Sequence, residues 1–597
     1  MKSSLCSILP RQFLLVVCLL AWFISPAYAQ RTDSLVVHKL EIKGNRALGG
    51  RGLKLLMYTR KTPWYDFLPG VGPQYFNRRV FELDLERIRS RYRELGYFDA
   101  QVDTTIERGT GTIRIGIRIQ ENDAVRVQRR LIADVPDALK PDTSAMHKGL
   151  KIRVGSPMER QILETDRNIL RRFLEDQGYA FTSVRVQVER TGTSAVVGYH
   201  LEPGPPCEIA SVRVEGNTKV GEGTIRRGIT VRPGQAYRKS QLLDSQRQLY
   251  RSGAFRSVTL ATPDSAVHRS PVDVVVSVRE RAPRVVKLGG GYSHPEEKVR
   301  GQFVWQHRNF MGGARQLTLE SEASAIWVSG TVSLRQPYIL GSKTWLTTST
   351  FIEQDRREGT EVKRLGGSAT LERTFGPATR VFFQVRTELV DFSPDSTRTN
   401  FIVGYQKDTR DDFFNPSRGT YTSLTVEESG LFFRSHQEIL KFAGEGRWYH
   451  RIPFRNVLAF RIKGGLIQEV GRGREVPNFE RFFSGGANSV RGWPLNLLAP
   501  RDADGNVSGG LSLFEAGVEL RTTLHSMVGT ALFLDAGNVG SHQSDAIELT
   551  SLKFAAGFGL RYLSPIGPIR FDVARRLSAD AFVADRVQIY LSLGQAF

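Results

Sequence analysis

The residues of this chain with the clearest chemical potential are an arginine in a glycine-rich segment and three acids downstream of it. The segment reads Ser484-Gly-Gly-Ala-Asn-Ser-Val-Arg-Gly-Trp493 and contains Arg491. Glu515, Glu519 and Asp535 follow it, within stretches that alternate apolar and polar residues. A guanidinium group is stable in a confined, water-poor space only if it pairs with a carboxylate, ideally in a two-pronged geometry. These residues therefore indicate a structural ion pair rather than catalysis.

The alternation of the downstream stretches indicates which acids are candidates for that pair. Glu515 and Glu519 lie two alternation steps apart, on the face that also carries Arg521. Asp535 interrupts an apolar run, and its two neighbours would point to the opposite face of a strand. The alternative interpretation places Arg491 in a wet surface turn, where it needs no partner.

Motifs for catalysis, phosphate binding and metal binding are missing from the sequence. Gly289-Gly-Gly291 has neither the lysine nor the following helix of a phosphate-binding loop. The ten histidines lack metal-ligand spacing, and no Gly-x-Ser-x-Gly segment occurs. Cys207 reads as a single cysteine in a linker before a strand rather than as a nucleophile. We expect a protein that is not an enzyme and that has no cofactor and no metal.

The N-terminus predicts export. Lys2 and Arg11 precede an apolar run over 13–24, and Ala27-Tyr-Ala29 then supplies a small-x-small cleavage site. We therefore expect a signal peptide over 1–29, cleaved between Ala29 and Gln30. Cys207 is then the one remaining cysteine, which leaves no intrachain disulfide.

The composition indicates which kinds of partner an exported chain of this type would bind. The formal net charge is +22, which suits anionic lipid headgroups and lipopolysaccharide better than nucleic acid outside the cytoplasm. Mean hydropathy is −0.27, and no later segment has the ~18 apolar residues of a spanning helix. The chain is then either soluble or a membrane barrel, since closed barrels are the other way to satisfy backbone groups in lipid.

From Arg284 onward, a period of two favours the barrel. One face of a typical strand carries Phe554, Phe558 and Leu560, while the other carries small or charged residues such as Arg561. An apolar face for lipid and a polar face for a lumen are typical of membrane β-barrels. The stretch 284–597 accommodates about 16 strands at about 20 residues per strand and turn.

Three repeats precede that stretch, predicted over 30–122, 123–204 and 205–281. Each contains an amphipathic helix, a glycine at the helix end and an alternating strand pair, with the glycines at Gly96, Gly178 and Gly253. The first and third repeats also open with a strand and a Gly-Asn turn, which the second lacks. An aromatic insertion over 60–77, with Trp64, Tyr65 and Phe67, either meets a partner or covers the first repeat's own core.

The last residues alternate in the same way as a barrel strand. Val587, Ile589, Leu591, Leu593 and the final Phe597 share one face, with Tyr590 between them. This stretch resembles the C-terminal signal by which outer-membrane barrels are recognised for assembly, for which we name Tyr590, Leu591, Leu593 and Phe597.

The order strand, two helices, strand, strand resembles the POTRA domain, and Ser489-Val-Arg-Gly-Trp493 resembles the Val-Arg-Gly-aromatic motif of the BamA/TamA family. Other segments similar to the family are Arg308-Asn-Phe-Met-Gly-Gly313, Leu334-Arg-Gln-Pro-Tyr338, Asp408-Thr-Arg-Asp-Asp-Phe-Phe-Asn-Pro-Ser-Arg-Gly419, Phe533-Leu-Asp-Ala-Gly-Asn538 and Leu563-Ser-Pro-Ile-Gly-Pro-Ile-Arg570. The resemblance implies α+β periplasmic repeats, three of them POTRA-like, followed by an all-β transmembrane barrel of roughly 16 strands. It also places Arg491, Gly492 and Trp493 in the sixth extracellular loop, where Arg491 pairs with Glu519 and Asp535 on the inner wall.

The resemblance implies an outer-membrane protein of a Gram-negative bacterium that captures unfolded outer-membrane protein clients with its periplasmic repeats. Clients would leave through a seam between the first and last barrel strands. Three repeats favour a TamA-like factor, with a periplasm-spanning or inner-membrane protein as a further partner. The alternatives are a BamA-like general assembly core, a two-partner secretion transporter and a passive porin.

Overall fold

The computed structural model describes residues 35–63, 66, 72–263, 270–293, 298–356, 361–391, 397–433, 438–453, 455–470, 475–524, 527–545, 548–564, 567–579, 583, 585–593 and 595–596. The signal peptide over 1–29 with Ala29 and Gln30, the aromatic residues Trp64, Tyr65 and Phe67, and Phe597 lie outside the described residues. The chain forms two compact bodies, one with repeats 1 and 2 and one with most of repeat 3 and the barrel.

Each N-terminal repeat is a three-stranded sheet with two helices. Repeat 1 comprises β1 (Val36–Lys43), α1 (Gly50–Leu56), α2 (Arg78–Glu94), β2 (Gln101–Arg108) and β3 (Thr112–Gln120). Repeat 2 comprises β4 (Arg126–Ala133), α3 (Thr143–Gly149), α4 (Arg160–Asp176), β5 (Ser183–Thr191) and β6 (Ser194–Glu202). Repeat 3 comprises β7 (Ile209–Glu215), α5 (Glu222–Gly228), α6 (Lys239–Arg251), β8 (Phe255–Ala261) and β9 (Val272–Glu280).

The last strand of each repeat occupies the middle of its sheet. It pairs in parallel with the first strand and antiparallel with the second, so that the orders are β1-β3-β2, β4-β6-β5 and β7-β9-β8. The predicted left-handed glycines end the second helices, with φ of +90° at Gly96, +105° at Gly178 and +71° at Gly253. The helices pack their apolar faces on the sheet because their apolar residues recur with helical spacing.

One polar residue on each long helix fixes the chain that arrives from the short helix. Asp84 accepts hydrogen bonds from the amides of residues 58 and 59 at 2.9 and 2.8 Å. Asp166 accepts from residues 151 and 152 at 2.6 and 3.0 Å, and Ser245 accepts from residue 230 at 2.9 Å. All three side chains are buried. They satisfy amides that the core would otherwise leave without partners.

The Gly-Asn turns of repeats 1 and 3 are held by an acid at the end of the central strand. Gly44 and Gly216 both have φ of +84°. Glu121 accepts hydrogen bonds from the amides of residues 46 and 47 at 2.7 and 2.9 Å. Glu280 accepts from the amides of residues 218, 219 and 220, each at 2.8 Å. Cys207 is buried just before β7, and burial raises the pKa of its thiol above the ordinary value.

The rest of the chain is one antiparallel sheet of 16 strands in sequence order, which confirms the predicted barrel and its strand number. The strands are β10 (Arg284–Ser293), β11 (Lys298–Phe310), β12 (Arg315–Ala323), β13 (Trp327–Pro337), β14 (Thr344–Asp355), β15 (Val362–Phe375), β16 (Thr379–Val390), β17 (Thr397–Asp408), β18 (Gly419–Ser429), β19 (Ile439–Ile452), β20 (Asn456–Glu469), β21 (Ser512–Thr523), β22 (Val528–Gly540), β23 (Lys553–Ser564), β24 (Gly567–Arg576) and β25 (Val587–Leu593). Gly289-Gly-Gly291 lies within β10 and not before a helix.

The two faces of the sheet differ as the alternation predicts. On β23, Phe558 and Leu560 are exposed on the outside, whereas Ala555 and Arg561 are buried on the inside. Outward apolar residues suit lipid, and the polar inner face lines the lumen.

The first and last strands approach each other without forming a ladder among the described residues. β10 pairs with β11 and β25 pairs with β24, so each keeps one free edge. The last strand is also shorter than its neighbours, with seven residues. We call the gap between β10 and β25 the seam.

Across the described parts of the chain, helices are too short or too polar to cross a membrane.

Candidate functional site

The structure describes the connection between β20 and β21 at residue 470 and over 475–511. This described part folds into the barrel interior, and we call it loop six. It joins the eleventh and twelfth strands of the sheet, which is the position that the sequence predicts for the sixth extracellular loop. This is the end of the barrel opposite to the end at which β10 begins. Phe482 and Gly510 pair through two backbone hydrogen bonds of 2.8 and 2.9 Å, which close the base of the loop. Gly485 and Gly486 then turn the chain with φ of +103° at both.

Arg491 stands at the centre of the lumen site and is 1% exposed. Its Nε and Nη2 donate to the two carboxylate oxygens of Asp535, at 2.7 and 3.0 Å. Its Nη1 donates to Glu519 Oε2 at 2.9 Å. The Asp535 contact is a two-pronged fork, in which a guanidinium group is held in both position and orientation. The backbone amide of Arg491 also donates to Asp535 Oδ2, at 3.1 Å.

A third acid, Asp572 on β24, completes the site. Its Oδ2 lies 3.4 Å from Arg491 Nη1 and 3.4 Å from Arg570 Nε. Arg561 also donates to Asp572, and Arg521 donates to Glu519 at 2.9 Å. Three buried carboxylates are thus shared by four buried arginines. Each of these seven charged groups is stable in the buried site because groups of opposite charge surround it.

An aromatic ring and two glycines shape the pocket around Arg491. The guanidinium carbon lies 3.4 Å from the ring centroid of Phe533, a cation–π contact. A side chain at Gly557 would meet that ring at 2.3 Å, and one at Gly559 would meet Asp572 Oδ1 at 2.0 Å. Glycine on the inner face of β23 therefore leaves the room that the ion cluster needs.

Gly492 and Trp493 connect the site to the last strand. Gly492 has φ of +122°, and an added Cβ would approach Ala555 Cβ to 2.7 Å. The Trp493 side chain is fully buried, and its carbonyl oxygen accepts a hydrogen bond from the hydroxyl of Tyr590 at 2.7 Å. The Gly492 amide in turn donates to the Tyr590 oxygen at 3.4 Å. The loop therefore contacts β25 directly.

A second anchor holds the beginning of loop six. Glu480 ends a short helical turn, Asn478–Glu480, and is buried. Its carboxylate accepts from Arg398 on β17, while Lys441 on β19 donates to its carbonyl oxygen at 2.7 Å. Arg398 also donates to Glu388 at 2.7 Å. Since these partners lie on β16, β17 and β19 while those of Arg491 lie on β21, β22 and β24, loop six crosses the lumen between two walls.

Glu515 lies on the same inward face of β21 as Glu519, but it has different partners. Its Oε1 accepts hydrogen bonds from Ser484 at 2.9 Å and from Ser489 at 2.5 Å. Arg461 Nη2 lies 3.1 Å from its other oxygen. Glu515 thus fixes the glycine turn of the loop rather than Arg491.

The structure brings Arg491, Glu519 and Asp535 together, with Gly492 and Trp493 beside them. Leu591 faces outward and Tyr590 inward, so the residues named for the C-terminal signal divide between the two faces. Leu593 ends β25, with its side chain outside what the structure describes, as is Phe597.

The sequence reasoning missed Asp572, Glu480 and the inward contact of Tyr590. Asp572 has the same alternation signal as Asp535, because it stands between Phe571 and Val573. Glu480 lies four residues before Ser484, where the glycine-rich segment begins, and it had no such signal.

The described residues contain no group of three or more His, Cys, Asp or Glu side chains arranged to hold a metal. The chemistry of the site is charge pairing, which holds a loop in place across a lumen.

Comparisons with known proteins give matches along most of the chain. A family model described as the Omp85 superfamily domain matches residues 309–597. A model for POTRA, described as a surface antigen variable number repeat, matches 35–122, 139–204 and 207–281.

Two relatives are outer membrane protein assembly factors named BamA. The one from Neisseria meningitidis is 23% identical over 612 residues, covering 91% of this chain and 76% of that protein. The one from Nitratidesulfovibrio vulgaris is 24% identical over 566 residues, covering 90% and 70%.

Among solved structures, the crystal structure of BamA from Haemophilus ducreyi lacking POTRA domains 1–3 has a TM-score of 0.59 with 18% identity. It covers 77% of this chain and 98% of that chain. This likeness shows a shared fold.

Proposed function

Because this chain belongs to the BamA/TamA family of outer-membrane proteins, we propose that it inserts client outer-membrane proteins into the outer membrane. The barrel lies in that membrane and the POTRA repeats lie in the periplasm. In this proposal the repeats capture unfolded clients and the seam between β10 and β25 releases them into lipid. The role requires no catalysis.

The observation that carries the proposal is the seating of loop six. Arg491 is buried among Glu519, Asp535 and Asp572, and the next residues contact Tyr590 on the last strand. A loop latched in this way supports the barrel wall next to the seam. Releasing the latch loosens β25, so the ion cluster controls how easily the seam opens.

The seam itself supports insertion by strand pairing. An unpaired strand edge presents amides and carbonyls that recruit another strand, which most proteins avoid. β10 and β25 each keep such an edge, and they form no ladder with each other in the part of the chain that the structure describes. A client strand can add there, and pairing together with lipid burial drives the step without an external energy source.

The repeats support client capture in the same way. β2, β5 and β8 are edge strands of their sheets. An extended peptide can add to such an edge through main-chain hydrogen bonds, so recognition tolerates many sequences. Unfolded outer-membrane proteins are therefore the proposed clients, and outer-membrane lipid or lipopolysaccharide surrounds the barrel.

We infer a TamA-like role, in which the protein serves part of the client set together with a periplasm-spanning or inner-membrane partner. Three repeats support this role, whereas the named relatives support a general assembly core. Depletion in cells distinguishes the two, because a general core affects nearly all barrels and a specialised factor affects a few.

Reconstitution tests the proposed function. Liposomes containing the protein should speed the folding of a second, unfolded barrel protein, measured by its gel shift without heating. Arg491→Ala takes from the buried Asp535 carboxylate the guanidinium group that pairs with it. Breaking a buried pair in this way costs about 3–5 kcal/mol. We therefore expect much slower assistance by this variant, while Arg501→Ala in the same loop retains it.

Two outcomes would contradict the proposal. One is unaltered client folding by Arg491→Ala. The other is steady ion conductance of the unaltered protein without any effect on client folding, which would favour a passive porin.

A further inference from the structure

We propose that a cavity at the periplasmic end of the barrel binds a peptide segment in which a carboxylate stands next to an aromatic side chain. The cavity has a volume of about 650 Å³ and is lined by the end of α6, the starts of β16 and β18, and the connection 409–418. Cavities of this size accommodate several side chains. The inference rests on the proposed function, since it gives the chemistry of a client segment near the barrel entrance.

The lining is strongly positive. Arg251, Arg380, Arg410 and Arg447 contribute guanidinium groups, and Asp408 is the one carboxylate among the described lining residues. That carboxylate is already engaged, because Arg410 donates to its two oxygens at 2.9 and 2.8 Å. The guanidinium groups therefore outnumber the acids that line the cavity.

Acids outside the lining neutralise part of this charge. Glu445 accepts hydrogen bonds from Arg447 at 2.8 Å and from Arg461 at 2.7 Å. Glu372 lies 3.3 Å from Arg335 and 3.9 Å from Arg380, so two arginines share it.

Among the described residues Arg251 forms no ion pair, and the nearby guanidinium group of Arg335 carries the same charge. Arg380 already donates to Gln406 from its Nε at 2.6 Å. An incoming carboxylate would thus meet Arg251 directly and share Arg380 with its internal partners.

The connection 409–418 adds an aromatic surface. Phe413 is 71% exposed and Phe414 is 54% exposed. Their rings meet edge to face, with centroids 5.1 Å apart. Exposed aromatic pairs beside a cavity are typical of contact surfaces rather than of a folded core.

Hydrogen bonds within the connection 409–418 fix its backbone so that these two rings stay exposed to solvent. Asp411 Oδ1 accepts from the amide of Ser417 at 2.8 Å, and Asp412 Oδ1 accepts from the amides of residues 414 and 415 at 2.8 and 2.7 Å. An added Cβ at Gly419 would lie 2.2 Å from the carbonyl oxygen of residue 409, so glycine allows the close approach that closes the connection. A preformed surface loses less conformational entropy when it binds a ligand.

The charged and aromatic groups also face each other. The guanidinium carbon of Arg410 lies 5.2 Å from the ring centroid of Phe413 and 5.0 Å from that of Tyr421. Arg447 lies 5.1 Å from the same tyrosine ring. A small anion would use the arginines and leave the phenylalanines in water, whereas an aromatic carboxylate segment uses both.

Peptide binding to the full-length protein in detergent micelles tests this site. The probe is a fluorescent decapeptide with the sequence of residues 588–597, Gln-Ile-Tyr-Leu-Ser-Leu-Gly-Gln-Ala-Phe. It is used as the free acid and as the C-terminal amide, with anisotropy as the readout. Strand pairing at the seam is open to both forms, so the difference between them reports the cavity.

We expect the free acid to bind about tenfold more tightly than the amide, as the loss of one charged hydrogen bond implies. Arg380→Gln should remove most of this difference, and Phe413→Ser should weaken both forms severalfold. The matched controls are Arg501→Gln in loop six and Phe432→Ser at the other end of the barrel, which should leave both affinities unchanged. The gel shift on heating verifies that each variant has a folded barrel.

Equal affinities for the acid and the amide would overturn the proposal, and this comparison needs no variant. Complete displacement of the peptide by millimolar inorganic phosphate would show a simple anion site and would also overturn it. Unchanged binding by Phe413→Ser would exclude the aromatic surface. If peptide binding behaves as expected while client folding is not assisted, the proposed function fails and the binding site remains.

Discussion

The hydroxyl of Tyr590 donates to the carbonyl oxygen of Trp493 at 2.7 Å, and both side chains are fully buried. This bond joins the last barrel strand to the segment that follows Arg491. The lumen site is therefore in direct contact with the last strand at the seam, and we expect a displacement of the loop to disturb β25.

Tyr590→Phe removes the hydroxyl and leaves the Trp493 carbonyl without that donor. Losing such a bond costs about 1–2 kcal/mol. We expect faster amide exchange in β25 and a lower temperature for the loss of the compact gel form. Tyr562→Phe is the matched control, because that hydroxyl lies on the outer face and contacts the sulfur of Met527 at 3.7 Å. Equal effects of the two changes would show that the Trp493 contact has no special role.

Gly492→Ala tests the close packing of the loop against β23. The φ of +122° strains an alanine, and its Cβ would meet Ala555 Cβ at 2.7 Å. We expect loop six to move out of its position across the lumen. This opening of the lumen should raise ion conductance in planar bilayers. Gly505→Ala is a control for strain alone, because Gly505 has φ of +84° with open space around it. Strain of that kind costs about 1–2 kcal/mol, so conductance close to that of the unaltered protein is expected there.

Glu480→Gln releases the first anchor of loop six. Arg398 then loses one of its two buried acid partners, and breaking a buried pair costs about 3–5 kcal/mol. We expect trypsin to cleave after Arg481 faster, while the bond after Arg491 stays protected by its own contacts. Glu475→Gln is the control, since Glu475 pairs with Arg481 at an exposed position. Faster cleavage at both arginines would mean that the two anchors do not act separately.

Glu280→Gln addresses the turn that opens repeat 3. Burial acts to raise the pKa of Glu280, but three backbone hydrogen bonds outweigh it and lower the pKa below the ordinary 4.5. A lowered folded-state pKa stabilises the fold above the unfolded value, and this stabilisation is lost as the pH falls through the folded value.

We therefore expect Glu280→Gln to speed amide exchange at residues 218–220 at pH 7, by a loss of about 1–2 kcal/mol. The difference from the unaltered protein should shrink as the pH falls below 4.5. Glu215→Gln, at an exposed position of the same sheet, serves as the control. A difference that stays constant down to acid pH would contradict the role of the Glu280 charge.

The sequence predicts the faces of the strands well because alternation is a local property. It indicates that Glu519, Asp535, Asp572 and Tyr590 all point away from lipid, although Asp572 and Tyr590 were not recognised as partners of loop six. It also predicts the left-handed glycines at the helix ends and the number of barrel strands, since each depends on a few neighbouring residues.

The tertiary structure decides which inward residues meet. Glu519 pairs in register with Phe533, and Asp535 with Ala555, so the offsets between neighbouring strands bring three distant acids around one guanidinium group. These offsets follow from the packing of the whole sheet, and no short stretch of sequence contains them. The same holds for Glu480, whose partners lie on strands far away along the chain. The sequence by itself thus determined the architecture and the facing of each side chain, whereas only the closed fold determined how the charges pair across the lumen.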